Sequence, residues 1–291
     1  MKAIPMRARS FRSKLYPRLA PALAIFWAAA SFCTLLLVGG CKVSAEKVEY
    51  QRAEEAAQKN QYEQALKHYE AVVAAHVKTP LALKSAKEAA NLLHYQLKRP
   101  KEAVEYYKHI ILHSQDSKER IAAQKALADL HFTETLDYTQ AIAEYSRLIE
   151  LPHTQKEDLD YRLAIARSYF YQNNFFQSQV EIDTIINRSS DKNMLFDALL
   201  LKANLLLSQK KHEEAIAVLN QLINEYPEKS KTEAVGLILA VCYEEQKNYA
   251  KAIETLNSIR DSYPRRAFLD QKIKTLRERQ TLLPGARGLK K

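Results

Sequence analysis

A small side chain recurs at Ala65, Ala103, Ala141, Ser178, Ala215 and Ala252, every 37 or 38 residues. Four residues after each comes Tyr69, Tyr107, Tyr145, Ile182, Leu219 or Leu256, and seven after it Val72, Ile110, Leu148, Ile185, Leu222 or Ile259. Residues three and four apart share one helix face, so each frame predicts an amphipathic helix. A second small residue stands twelve positions earlier at Ala53, Ala166, Ala203 and Ala240, which predicts a partner helix ahead of each. In the second and third units that residue, Ala90 or Ala128, lies one position further back, so a turn longer by one residue is expected there. A single helix pair cannot bury its apolar stripe alone, and stacking makes the core continuous. The frame therefore predicts an all-α solenoid of about six helix pairs over 47–264.

Composition agrees. Only five glycines occur in 291 residues, and the six prolines after residue 41 all fall at junctions of the periodic segments, where a missing N–H does least harm. Residues 265–283 add one amphipathic helix, whose stripe of Leu269, Ile273 and Leu276 suits a solenoid cap. Residues 284–291 read as a flexible tail. The net charge of +10 is unevenly spread: residues 1–41 hold six basic and no acidic side chains, residues 265–291 nine basic and two acidic, and the repeat body is left at −3. A basic pI of this origin is no argument for nucleic-acid binding.

Residues 1–18 are basic and 19–40 apolar, ending in Val38-Gly39-Gly40-Cys41. A basic region, an apolar region and small residues before a cut describe an export signal. The alternative is an uncleaved membrane span, for which about 20 apolar residues suffice. The small-small-Cys ending resembles the lipobox of bacterial lipoproteins. That resemblance implies a signal peptide over 1–40, a diacylated Cys41 and a tether over 41–46. Lys42 in place of Asp implies the outer membrane, periplasmic face, over the inner membrane. Six residues reach roughly 20 Å when extended, so the first repeats are expected beside the membrane. Cys33 leaves with the signal, and Cys242 reads as a buried thiol, so no disulfide framework is expected.

The units themselves resemble tetratricopeptide repeats, best in 197–227 and 234–264. They depart from the family in their longer period, in Pro100 where an aromatic is usual, and in Ser178 where Ala is. The resemblance implies a right-handed solenoid that binds peptides in a concave groove lined by the first helix of each pair. Tyr95, Arg167, Phe170, Tyr171, Asn204 and Glu245 are the implied groove positions, with Phe170 and Tyr171 equally open to packing between repeats. Lipobox, short tether and extended repeats together resemble the lipoprotein component of the outer-membrane β-barrel assembly machine. This implies a non-enzymatic scaffold whose partners are membrane-embedded or membrane-proximal envelope proteins. Adaptors of secretion, pilus, motility or peptidoglycan-linked machinery share the layout.

Chemistry-bearing motifs are sparse. His109 and His113 are four apart on one helix face, but no third ligand accompanies them, so no metal is expected. The sequence has no Gly-rich phosphate loop, Gly-x-Ser-x-Gly elbow or Cys-x-x-Cys pair. Glu213, Glu214, Glu244 and Glu245 are expected on exposed faces. No catalytic residue or cofactor is expected.

Overall fold

In the computed structural model, which describes residues 44–282, every predicted frame is the start of the second helix of a pair. The pairs are α1 (Ala45–Gln58) with α2 (Tyr62–Ala75), α3 (Pro80–Asn91) with α4 (Pro100–His113), and α5 (Ser117–Thr133) with α6 (Tyr138–Glu150). They continue with α7 (Gln155–Tyr171) and α8 (Phe175–Arg188), then α9 (Lys192–Ser208) and α10 (His212–Glu225). In the sixth unit α11 (Pro227–Thr232) and α12 (Val235–Glu245) precede α13 (Tyr249–Ile259), and α14 (Arg266–Thr281) follows. Contacts divide the chain into Met1–Val48 and Glu49–Lys291, and the repeats, apart from the first turn of α1, belong to the second unit. The described residues contain no strand.

Local chemistry sets the helix starts. Side chains of Thr79, Asp116, Asp137, Thr154, Asn174, Asp191 and Asn248 accept from otherwise orphaned N–H groups. Pro80, Pro100 and Pro227 sit at the beginning of helices, where their fixed φ is already helical. The helix ends are equally regular. A left-handed residue closes each first helix, at Asn60, Lys98, Leu136, Asn173, Lys210 and Lys247, always five residues before the small residue of the second helix.

The extra residue of units two and three does not lengthen that turn. In the other four units the N–H after the left-handed residue donates five residues back, as from Gln61 to Ala56 and from Asn174 to Tyr169. In units two and three it donates six back, from Arg99 to Leu93 and from Asp137 to His131. Leu92–Gln96 is a π-helix, and Thr135 donates five residues back to Leu130. A helix end can take up one residue by widening its last turn; the turn itself is held by the packing of the second helix.

All twelve small residues of the two frames are fully buried. Alanine against alanine lets paired helices approach closely, and Tyr69, Tyr107, Tyr145, Ile182, Leu219 and Leu256 fill the space beside them. Ser178 keeps the pattern because its hydroxyl donates to the Ala166 carbonyl at 2.8 Å. One break was not expected: left-handed Ala234 splits the first helix of unit six. Beside it Gly236 lies against α13 so closely that a Cβ would stand 2.7 Å from Ile259 Cγ2.

The last helix ends the stack. Leu269, Ile273 and Leu276 are buried against the sixth unit. Twenty-five residues separate each second-helix small residue from the first-helix alanine that follows it, as in Ala215 to Ala240. The same step from Ala252 reaches Arg277, which is exposed. A guanidinium stands at the position where each first helix of the repeats carries its buried alanine, as suits a helix with one side facing water.

Candidate functional site

Contacts between successive first helices define one shared face. Lys84 of α3 reaches Glu54 of α1 at 3.7 Å and lies 4.8 Å over the Tyr50 ring. His94 Nε2 lies 3.6 Å from Glu134, and the Phe132 and Tyr171 rings are 6.2 Å apart. Arg167 of α7 faces Asp197 of α9 at 3.8 Å, and Lys229 of α11 reaches the same carboxylate at 2.7 Å. Lys272 and Arg279 of α14 close on Glu244 of α12 at 2.7 and 2.6 Å. This row is the candidate groove.

The six predicted groove residues are distributed along it without converging on one pocket. Arg167 is on the face, held by Asp197. Asn204, one 37-residue step later, is half-buried on α9, and Glu245 is exposed at the end of α12. Tyr95 is 59% exposed and stacks on His94 with ring centroids 4.1 Å apart. Tyr171, 53% exposed, stacks on Tyr138 at 5.0 Å. Phe170 instead packs against Phe175 and the buried cluster around Leu163 and Ile182, so its main contacts are with the core.

Asp197, which meets both Arg167 and Lys229, lies on the same face and was not singled out from the sequence. The 37-residue step from exposed Asp160 to Asp197 carried that signal. Where α7 and α9 begin, a cavity of about 410 Å³ is lined by Leu159, Asp160, Leu163, Met194 and Asp197, among others.

Other polar groups serve the scaffold. Asp158 is buried and meets Arg188 at 2.7 Å, Arg162 at 3.2 Å and His153 at 3.7 Å. Buried Glu144 accepts from Gln124 and from Arg147, the latter at 2.6 Å. Glu244 is not on an exposed face as expected, because its side chain, 16% exposed, is enclosed by the two cations of α14. Cys242 is fully buried, and burial pushes its thiol up to about 11, which keeps it protonated and unreactive. The His109 and His113 rings are 4.6 Å apart, and His109 Nε2 is held 2.9 Å from the Val77 carbonyl. Among the described residues no three His, Cys, Asp or Glu side chains are grouped to hold a metal, and no helix is long and apolar enough to cross a membrane. The expected export signal over 1–40, Cys41 and residues 283–291 lie outside the described residues.

A family model described as tetratricopeptide repeat matches residues 50–117 and 163–230, and a second with the same description matches 206–276. Among solved structures, a tetratricopeptide repeat protein from Parabacteroides merdae is 19% identical, with 81% of this chain and 90% of that one covered at a TM-score of 0.55. A repeat protein from Bacteroides fragilis is 14% identical over 81% of this chain and 99% of its own, with a TM-score of 0.42. The first of these likenesses concerns the fold. No curated protein matches the chain.

Proposed function

Since this chain belongs to the tetratricopeptide-repeat family, a scaffold for protein–protein contacts, we propose that it is a lipid-anchored platform on which envelope complexes assemble at the periplasmic face of the outer membrane. The observation that carries the scaffold reading is the continuous face of first helices, on which Tyr95, Tyr171 and Arg167 remain solvent-accessible. Tyr and Arg supply much of the binding energy at protein interfaces, because each offers a large contact area with few rotatable bonds per hydrogen bond made. The role is non-enzymatic.

The anchor rests on Val38-Gly39-Gly40-Cys41 and its likeness to a lipobox. A short tether after a lipidated Cys41 keeps the first repeats near the membrane, which favours membrane-embedded or membrane-proximal partners. Assembly of outer-membrane β-barrels is the reading that the layout of anchor and repeats favours. In-cell crosslinking of the full chain, followed by affinity purification and mass spectrometry, tests it. Stoichiometric recovery of a large outer-membrane barrel is expected, and recovery of secretion, pilus or cell-wall components instead would retire the barrel reading. Palmitate labelling that persists in Cys41→Ala would retire the anchor.

A further inference from the structure

Antiparallel pairing puts the turns between units along one edge of the repeats, and α1 starts at that edge. Glu49 of α1 meets His68 of α2 at 2.7 Å, and the Tyr50 and Tyr69 rings are 5.7 Å apart, so the beginning of α1 lies beside the end of α2. His109 Nε2, 2.9 Å from the Val77 carbonyl, brings the last turn of α4 against the turn that follows α2. Gln155 donates to the Arg188 carbonyl at 3.2 Å and joins the turn before α7 to the end of α8. The edge is not polar throughout: Leu112 is 75% exposed, Val77 41% and Leu151 38%. Four successive turns or helix starts each carry an exposed lysine, Lys78, Lys118, Lys156 and Lys192, and none of the four is in an ion pair among the described residues. Most carboxylates beside them are turned inward. Asp116 and Asp191 accept from helix N–H groups at 2.9 and 2.7 Å, Glu157 accepts from the Thr154 N–H at 2.8 Å, and Asp158 is buried among cations. Glu150 and, one turn further from the edge, Asp160 are exposed without such partners, which leaves positive charge in excess.

Position, more than composition, assigns this edge. The opposite edge also exposes apolar side chains, at Leu136 and Tyr171, but α1 does not start there. Three residues lead from Cys41 to Ser44, a reach of about 10 Å, so acyl chains on Cys41 hold the α1 edge, and not the other, against a bilayer. We infer that the edge formed by the turns between units is a lipid-contact surface. Val77, Leu112 and Leu151 enter the headgroup layer, and the four lysines meet anionic phospholipids. The inference rests on the anchor reading above and specifies which surface of the repeats the membrane covers. Shallow apolar insertion and attraction between lysine and anionic headgroups are the two components of interfacial binding. Contact along this edge stands the helices upright on the membrane, so the face of first helices runs beside the bilayer and stays open to a protein partner.

The test uses the full chain reconstituted in phosphatidylcholine vesicles, with and without phosphatidylglycerol. A bimane label is placed on Leu112→Cys or, at the opposite edge, on Leu136→Cys, with Cys33→Ala and Cys242→Ala in both; the chain with neither added cysteine gives the background. A lipid carrying a nitroxide on its headgroup should quench the label at Leu112 and leave the one at Leu136 bright. Phosphatidylglycerol should strengthen the quenching, and combining Lys78→Gln, Lys118→Gln, Lys156→Gln and Lys192→Gln should remove that dependence. The thermal midpoint should stay unchanged, because all four lysines are exposed and outside ion pairs. If the chain floats with the vesicles but neither label is quenched, or only the one at Leu136, the anchor reading stands and this edge is the wrong surface. Quenching at Leu112 that ignores both phosphatidylglycerol and the lysine substitutions refutes the recognition of anionic headgroups. A chain that does not float with the vesicles overturns the anchor reading and this inference with it.

Discussion

Replacing Lys229 by Met removes a charge from the junction of units five and six while keeping the length of the side chain. The Lys229 ammonium lies 4.6 Å over the ring of Phe196, a fully buried side chain, and 2.7 Å from Asp197, with a further bond to the Asn193 carbonyl at 3.3 Å. A cation over a partly desolvated ring contributes about 1 kcal/mol. The ion pair, with side chains 28% and 35% exposed, adds about 0.5 kcal/mol after solvent screening. Methionine retains the contact of the stem with the ring. The loss of about 1.5 kcal/mol falls on α11, the short helix cut off from α12 by Ala234. Hydrogen exchange at the amides of 228–232 should therefore accelerate about ten-fold in Lys229→Met. The buried amides of α7 and α8 should keep their rates. In Asp197→Asn the same substitution should cost less, by a coupling of about 0.5 kcal/mol. No change at 228–232, or equal acceleration along the whole chain, would refute the view that this lysine staples α11 to α9.

Three other perturbations probe the scaffold. Ala215→Leu overfills a fully buried contact between paired helices and should lower stability by about 1–3 kcal/mol; normal thermal unfolding would contradict the close-packing account. Ser178→Ala removes one hydroxyl bond, but it restores the residue that the other five frames use, so urea denaturation should register a loss of no more than about 1 kcal/mol. Burial holds His131 below the usual imidazole range, with Lys108 acting in the same direction and Asp137 and Glu144 opposing. The unfolded chain then takes up the proton first, so this contribution to stability is present above about pH 6.5 and is lost as the pH falls through it. His131→Gln should flatten the decline of the thermal midpoint between neutral and mildly acidic pH, and an unaltered slope would count against the assignment.

Much of this architecture is written in the period of the sequence. Alanines at constant spacing mark where helices touch, and the stripe of Leu269, Ile273 and Leu276 marks the cap. A period gives only the number of residues per unit, however. Whether the additional residue of units two and three enters a turn or a helix end depends on which is held more tightly by tertiary packing. The break at Ala234 was foreshadowed only by Pro227 and Gly236 on either side. Of the proposed groove positions, Arg167 and Asn204 follow the frame, but Phe170 could not be separated from the core, because an aromatic ring at a helix end suits either place. The engagement of Glu244 by Lys272 and Arg279 joins residues 28 and 35 positions apart, a distance at which charge pairing leaves no local signature.

Because, among the described residues, the core contacts and ion pairs of α14 are with the last unit, the number of repeats is free to change without redesigning the terminus. Tandem duplication of 215–251, one 37-residue period, would recreate every alanine contact and still present a copy of Glu244 to Lys272 and Arg279. The groove would lengthen by one whole increment, and α14 would cover the last unit as before. Truncation before residue 266 has the opposite effect, since it bares the apolar side of α12 and α13 and turns the end of the molecule into an adhesive surface. The protein can thus be measured out in units, with a single amphipathic helix covering the apolar side of the last one.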